Sequence, residues 1–133
     1  MPGTVGFIGV GNMGSRMAMN LLKNDFALVA CDVDPAKLKP LQEQGATIAP
    51  SPAEVAQRVE RTISMVETTE QAKQVIAGEQ GIMSGARPGH VVVPMSTIDP
   101  LAARHLHECL AAAGIAMLDA PVSGGTVRAG SGA

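Results

Sequence analysis

Six short apolar runs, each of strand length and each parted from the next by a helical pattern, constrain this chain more than any other feature. The runs are Val5–Ile8, Ala27–Cys31, Thr62–Val66, His90–Met95 and Ala116–Leu118, with a weaker one at Thr47–Ile48. The main runs are continuously apolar rather than alternating, as strands covered on both faces should be. Between them the spacing predicts helices at Asn12–Lys23, Pro35–Gln44, Pro52–Gln57, Thr69–Ala77 and Pro100–Ala113. Ser51-Pro52 and Asp99-Pro100 each pair a capping side chain with a proline at the first helical position, and Asp34 is placed to cap the helix at Pro35. Gly45 and Gly114 fall where helices stop. Strands alternating with helices build a parallel sheet covered on both sides. The expected fold class is therefore α/β, a doubly wound, mainly parallel sheet, with residues 1–133 forming one domain.

The core of such a sheet must come from aliphatic residues. Hydrophobic residues make up 46% of the chain, yet there are two Phe and no Trp or Tyr. A net charge of −2 with scattered signs gives no basic stripe, so nucleic acid is not an expected partner. No apolar run approaches the ~18 residues needed to cross a bilayer, so no membrane partner is expected either. The start, MPGTVGFIGVG, lacks the basic segment of a secretory signal. Cys31 and Cys109, one in an apolar strand and one in a helix, suit two buried free thiols in a reducing compartment. A cytoplasmic location is expected.

Gly9-Val10-Gly11-Asn12-Met13-Gly14 directly follows the first strand and opens the first helix. Gly9 allows a tight turn, Gly11 lets backbone N–H groups approach a pyrophosphate, and Gly14 lets helix and strand pack closely. The helix N-terminus then supplies positive potential to the phosphates. A glycine pattern alone is weak, but here an acidic residue, Asp32, closes the second strand. Its carboxylate is placed to accept hydrogen bonds from ribose hydroxyls. Together these features define a Rossmann-type dinucleotide site. The same carboxylate repels a 2′-phosphate, and no Arg follows in Val33-Asp34-Pro35-Ala36, although Lys37 and Lys39 are near. NAD is the expected cofactor, with NADP less favoured.

The segment from Leu118 to Gly125 leaves the last strand at its carboxyl end, the edge where ligands lie in open α/β sheets. Ser123 offers a hydroxyl, and Gly124 and Gly125 expose backbone N–H groups. By themselves these residues suit either a small carboxylate or an ordinary Gly-rich turn.

Three blocks carry a family resemblance: GFIGVGNMGSRMAMNLLK at 6–23, MSTIDP at 95–100 and LDAPVSGGTVRAGSG at 118–132. They span nearly the whole chain, and through them it resembles the β-hydroxyacid dehydrogenases, which include 3-hydroxyisobutyrate and tartronate semialdehyde dehydrogenases. It is also similar to the NAD-binding domain of 6-phosphogluconate dehydrogenase. The resemblance implies that Gly9–Gly14 and Asp32 bind NAD, and that Met65 and Val66 line the cofactor groove. It further implies that Thr97 contacts the nicotinamide half and that Ser123, Gly124 and Gly125 hold the carboxylate of a short hydroxy acid. A homo-oligomer is implied for the full-length protein.

The sequence departs from the family in three ways. Val66-Glu67 stands where the family has Leu-Pro, and Pro94 stands where it has an acidic residue. Pro94 also removes a backbone donor near a strand end. The family's lysine acid/base, in a Gly-x-x-x-Lys-x-x-Asn setting, belongs to an all-α domain expected beyond Ala133. Lys23, Lys37, Lys39 and Lys73 lack that setting, so no catalytic residue is assigned, and residues 1–133 alone are expected to be inactive. The alternatives are a dinucleotide-binding module without turnover and an imine reductase of the same shape; the Ser123-Gly124-Gly125 block speaks against the latter.

Other chemistry-bearing residues have plainer readings. His105 and Cys109 share a helix face but His107 points elsewhere, so no metal site is assigned. Met13, Met17 and Met65 read as flexible core filler, and Asp119 as the anchor of the turn that follows it.

Overall fold

Parallel neighbours cannot be joined by a tight turn, so each crossover in this chain carries helix. The computed structural model describes residues 3–10, 12–66, 68–95 and 98–118, and of Asn12 and Met13 the backbone only. Within them the order is β1 (Thr4–Ile8), α1 (Asn12–Lys23), β2 (Ala27–Cys31), α2 (Pro35–Glu43), β3 (Thr47–Ile48) and α3 (Pro52–Arg58). There follow β4 (Arg61–Ser64), α4 (Thr69–Ala77), α5 (Ile82–Gly85), β5 (Val91–Pro94), α6 (Pro100–Ala112) and β6 (Ala116–Met117). The strands form one sheet in the order β3-β2-β1-β4-β5-β6, every pair parallel. The α/β, Rossmann-type doubly wound expectation holds. Because the winding reverses between β1 and β4, the crevice at their carboxyl ends is where such sheets hold ligands.

Side chains of β1 alternate between two cores. Val5 and Phe7 pack with Leu28, Ala30, Leu38 and Leu41 on the α1–α2 face. Ile8 points the other way, into a cluster with Val55, Ile76, Ile82, Val92 and Leu106. Phe7, Leu41, Ile76 and Ile82 are wholly buried, and each such side chain contributes about 1.5–3 kcal/mol of burial free energy. The capping signals act as expected. Asp34 accepts from the Ala36 N–H, Ser51 from the Glu54 N–H and Asp99 from the Ala102 N–H. Gly45 and Gly114 have positive φ at the helix ends.

Element ends differ from expectation for identifiable reasons. β4 stops at Ser64, so Met65 and Val66 lie beyond it: the Met65 N–H makes a bond to the Ile8 carbonyl at 2.8 Å, and the chain then turns across Gly9. β5 begins at Val91 because the His90 N–H donates back to Arg87 in a turn. β6 ends at Met117, one residue early. The Leu118 N–H still reaches the Val92 carbonyl at 2.9 Å, but Pro94 has no N–H to return to Leu118. α2 and α6 each end one residue early, at Glu43 and Ala112, and α3 runs one further, to Arg58. Cys31 is buried, whereas Cys109 is only half-buried. Helix α5 was not anticipated. Its Gly85 lies so close to α3 that an added Cβ would collide with the Ala53 carbonyl.

His90 is buried in the core. Its ring bonds the Thr62 hydroxyl on β4 and also the Val59 carbonyl. Burial lowers its pKa from the ordinary 6.5, opposed by the Val59 bond and by the charge of Glu60. The unfolded chain therefore binds more protons than the folded one just below pH 6.5, and stability falls as pH drops through that window. Melting temperature is expected to decline between pH 7 and pH 5.5, and a His90→Asn variant should show a shallower decline. Thermal melts across the pH series check this.

Candidate functional site

Where β1 ends, four elements meet at one turn. Gly9 has φ +91°, a conformation that side-chain-bearing residues rarely adopt. An added Cβ there would strike the Met65 carbonyl, so the turn also requires bare backbone where the β4 exit crosses it. The Gly9 N–H donates to the Cys31 carbonyl at 3.0 Å. A Cβ on Gly14 would stand 2.5 Å from the Gly9 carbonyl oxygen and 3.3 Å from the Phe7 ring. The first turn of α1 thus rests directly on the end of β1, which aims the helix N-terminus across the crevice.

Asp32 sits half-buried just past β2. Its Oδ2 accepts from the Val10 N–H at 2.6 Å, and its Oδ1 accepts from the Asp34 N–H at 2.9 Å. These are charge-assisted bonds of the stronger kind. A carboxylate oxygen has two acceptor positions, so both retain capacity for ligand hydroxyls. The adjacent Cys31 thiol is pushed up to about 11, first by burial and then by the Asp32 charge. It stays protonated near neutral pH and is a poor nucleophile.

A cavity of about 480 Å³ opens beside this turn, within the range of small-molecule sites. Gly9, Val10, Asp32, Met65 and Val66 all border it, so the fold brings together these five sequence-predicted residues. Pro50, Pro52 and Val75 form part of its apolar wall and were not anticipated, nor was Val33, which is fully exposed beside Asp32; Lys37, noted in the sequence as near, borders the cavity while Lys39 does not line it. The wall comes from the β3–α3 connection and α4, which only the topology brings near. One signal was available in the sequence. Thr68-x-x-Gln71 is a capping box, in which the Gln71 N–H donates to Thr68 Oγ1 at 3.1 Å and Gln71 Oε1 accepts from the Thr68 N–H at 3.2 Å. It fixes α4 where Gln71 borders the cavity. Gly11, the Asn12 and Met13 side chains, Thr97, Asp119, Ser123, Gly124 and Gly125 lie outside the described residues.

Of the other chemistry-bearing residues, several are placed by the structure. Met17 and Met65 pack against the core on the α1–α2 face. Cys109 Sγ lies 3.6 Å from His105 Nε2 on α6. Among the described residues no group of three or more His, Cys, Asp or Glu side chains is gathered as a metal site would need.

Residues 4–133 match the family described as the NAD binding domain of 6-phosphogluconate dehydrogenase. The chain belongs to this family. It is 42% identical over 128 residues to mitochondrial 3-hydroxyisobutyrate dehydrogenase of Mus musculus, covering 96% of this chain and 38% of that protein. Among solved structures, 3-hydroxyisobutyrate dehydrogenase of Mycobacterium tuberculosis with L-serine superposes with a TM-score of 0.90 at 30% identity, covering 98% of this chain and 44% of that one. An imine reductase of Myxococcus stipitatus in complex with NAD+ reaches 0.87 at 22% identity over 96% of this chain and 43% of that one, a likeness of fold alone. The chain spans about two fifths of the length of the curated relatives it matches. It is an NAD-binding domain. The turn, the half-buried carboxylate and the cavity between them are consistent with that assignment.

Because Gly14 abuts backbone rather than a flexible side chain, overpacking there has no easy relief. Gly14→Ala is expected to destabilise the fold by about 1–3 kcal/mol and to weaken NADH binding at least tenfold. Urea unfolding and NADH fluorescence titration check the two effects separately.

Proposed function

We propose that this chain is the cofactor-holding part of an NAD-dependent dehydrogenase that acts on a short 3-hydroxy acid. The observation that carries the reading is Asp32, a half-buried carboxylate held at the end of β2 by the Val10 and Asp34 N–H groups. In this reading Gly9, Val10, Gly11, Asn12, Met13 and Gly14 cradle the pyrophosphate, and Asp32 accepts from the ribose hydroxyls. Met65, Val66 and Thr97 border the nicotinamide half. Ser123, Gly124 and Gly125 hold the carboxylate of the hydroxy acid. The cofactor, once bound, supplies hydride transfer; the chain's own residues orient the reactants and exclude water. The relatives at about 40% identity support the hydroxy-acid reading over imine reduction, since the imine reductase likeness is one of fold.

No lysine among the described residues is placed as the acid/base. Lys23 ends α1, Lys37 and Lys39 lie on α2, and Lys73 on α4 pairs with the exposed Glu70 at 3.1 Å. Residues 1–133 alone are therefore expected to bind NAD with negligible turnover of 3-hydroxyisobutyrate. Losing a positioned acid/base costs ~10²–10⁴ in rate, and losing the rest of the pocket adds misorientation. An assay of NADH absorbance with purified 1–133 beside a longer chain checks this, and robust turnover by 1–133 overturns it.

NAD should bind more tightly than NADP. Asp32 repels a 2′-phosphate, while Lys37 on the same cavity offsets only part of that repulsion. Calorimetric titration of both cofactors decides it. Replacing Asp32 with Ala should narrow the gap, and equal or tighter NADP binding by the parent chain would sink the assignment.

A further inference from the structure

A second cavity of the molecule lies away from the cofactor crevice. It occupies about 630 Å³ at the opposite, amino edge of the sheet, among the starts of β1, β4 and β5 and the end of α3. Three of the six arginines in the chain, Arg58, Arg61 and Arg87, border it, against one carboxylate, Glu60. A chain with net charge −2 has gathered half its guanidinium groups around one concavity. Arg58 is engaged with Glu54 at 3.7 Å, an exposed pair of little strength. Arg61 and Arg87 take part in no ion pair among the described residues.

We propose that this cleft is a second ligand site, one that takes a small, multiply charged oxyanion gripped by Arg61 and Arg87. Guanidinium forks match carboxylate and phosphoryl oxygens two at a time. Two forks on one cavity therefore favour a ligand with at least two negative charges. The size of the cleft is that of a small-molecule site rather than a flat contact surface.

The walls are held in place. The Arg61 guanidinium lies beside Gly3, just ahead of β1, with Nη2 3.2 Å from where a Cβ on Gly3 would stand. The turn that carries Arg87 is pinned by the bond from the Gly89 N–H to the Gly114 carbonyl at 2.8 Å. It is pinned again by the bond from the Val91 N–H to the Glu60 carbonyl at 3.0 Å. His90, buried at the base of the cleft, ties that turn to β4 through the Thr62 hydroxyl. Arginines mounted on a rigid frame lose less freedom on binding. The site is independent of the cofactor reading, because the run of β4 from Arg61 to Ser64, about 10 Å at ~3.3 Å per residue, separates the two edges.

Calorimetry at low salt tests this with tripolyphosphate, citrate and acetate, each titrated into the 133-residue chain in the presence of excess NAD. Tripolyphosphate or citrate is expected to bind with one-to-one stoichiometry, and acetate at least tenfold more weakly. Whichever of the first two binds more tightly identifies the source as phosphoryl or polycarboxylate. The Arg61→Gln/Arg87→Gln double variant should lose at least tenfold in affinity while its melting temperature and NAD affinity stay at the parent values. Arg87→Gln alone, on an exposed turn, gives the same reading if the double variant melts early. The proposal is overturned if neither polyanion binds below millimolar concentration. It is equally overturned if these variants bind polyanions as well as the parent does.

Discussion

The bond from the Val10 N–H to the Asp32 carboxylate, 2.6 Å long, joins the two halves of the cofactor crevice. One end belongs to the β1–α1 turn and the other to the end of β2. Without it the turn would rest on Gly9 alone, through its bond to Cys31 and its contact beneath Met65. The backbone constraints at Gly9 and Gly14 place four elements, β1, α1, β2 and the exit of β4, within van der Waals distance of one another. The carboxylate then fixes the direction in which the turn faces. The apolar wall opposite is positioned separately, by the β3–α3 connection and by the capping box that starts α4.

Much of this was legible because the signals are local. Proline-plus-cap pairs at Ser51 and Asp99 act within three residues of where they stand. The glycine spacing at 9–14 with the acid at 32 is recognisable from spacing, although Asp32 then bonds Val10, 22 positions away. What escaped is non-local. Four residues, Ile82–Gly85, are too few to show a helical period, and Gly85 matters only because α3 presses the Ala53 carbonyl against it. Met65 and Val66 are as apolar as the strand before them, so composition extended β4 past the point where its neighbour, β1, turns away. Arg58 and Arg87 lie 29 positions apart in the chain (87 − 58) and meet only because β4 and β5 are adjacent. Pro94 was legible as a lost donor, and its consequence is the early end of β6.

The two edges of the sheet divide the labour. At the carboxyl edge, helices begin: α1, α4 and α6 all point their N-termini there, and the Asp99 N–H donates to Thr69 Oγ1 at 3.1 Å to hold two of them together. Helix N-termini favour anions without spending a charged side chain. At the amino edge helices end, and their C-terminal dipoles repel anions. A cleft that is to hold an anion on that side must supply formal positive charge, and Arg58, Arg61 and Arg87 supply it.

In the proposed reading the same carboxylate serves the fold and the ligand, which has an energetic consequence. Asp32 already holds Val10 in place before any ribose arrives, so little ordering entropy remains to be lost there on binding. A ligand that adds bonds to Asp32 in turn stabilises the folded chain by mass action, since the unfolded chain has no such site. Order at the turn and affinity for the dinucleotide are thus one quantity seen from two sides. The half-buried position of Asp32 suits both roles. Full burial would leave no lone pair within reach of a ribose, and full exposure would let water compete for the Val10 N–H and loosen the turn.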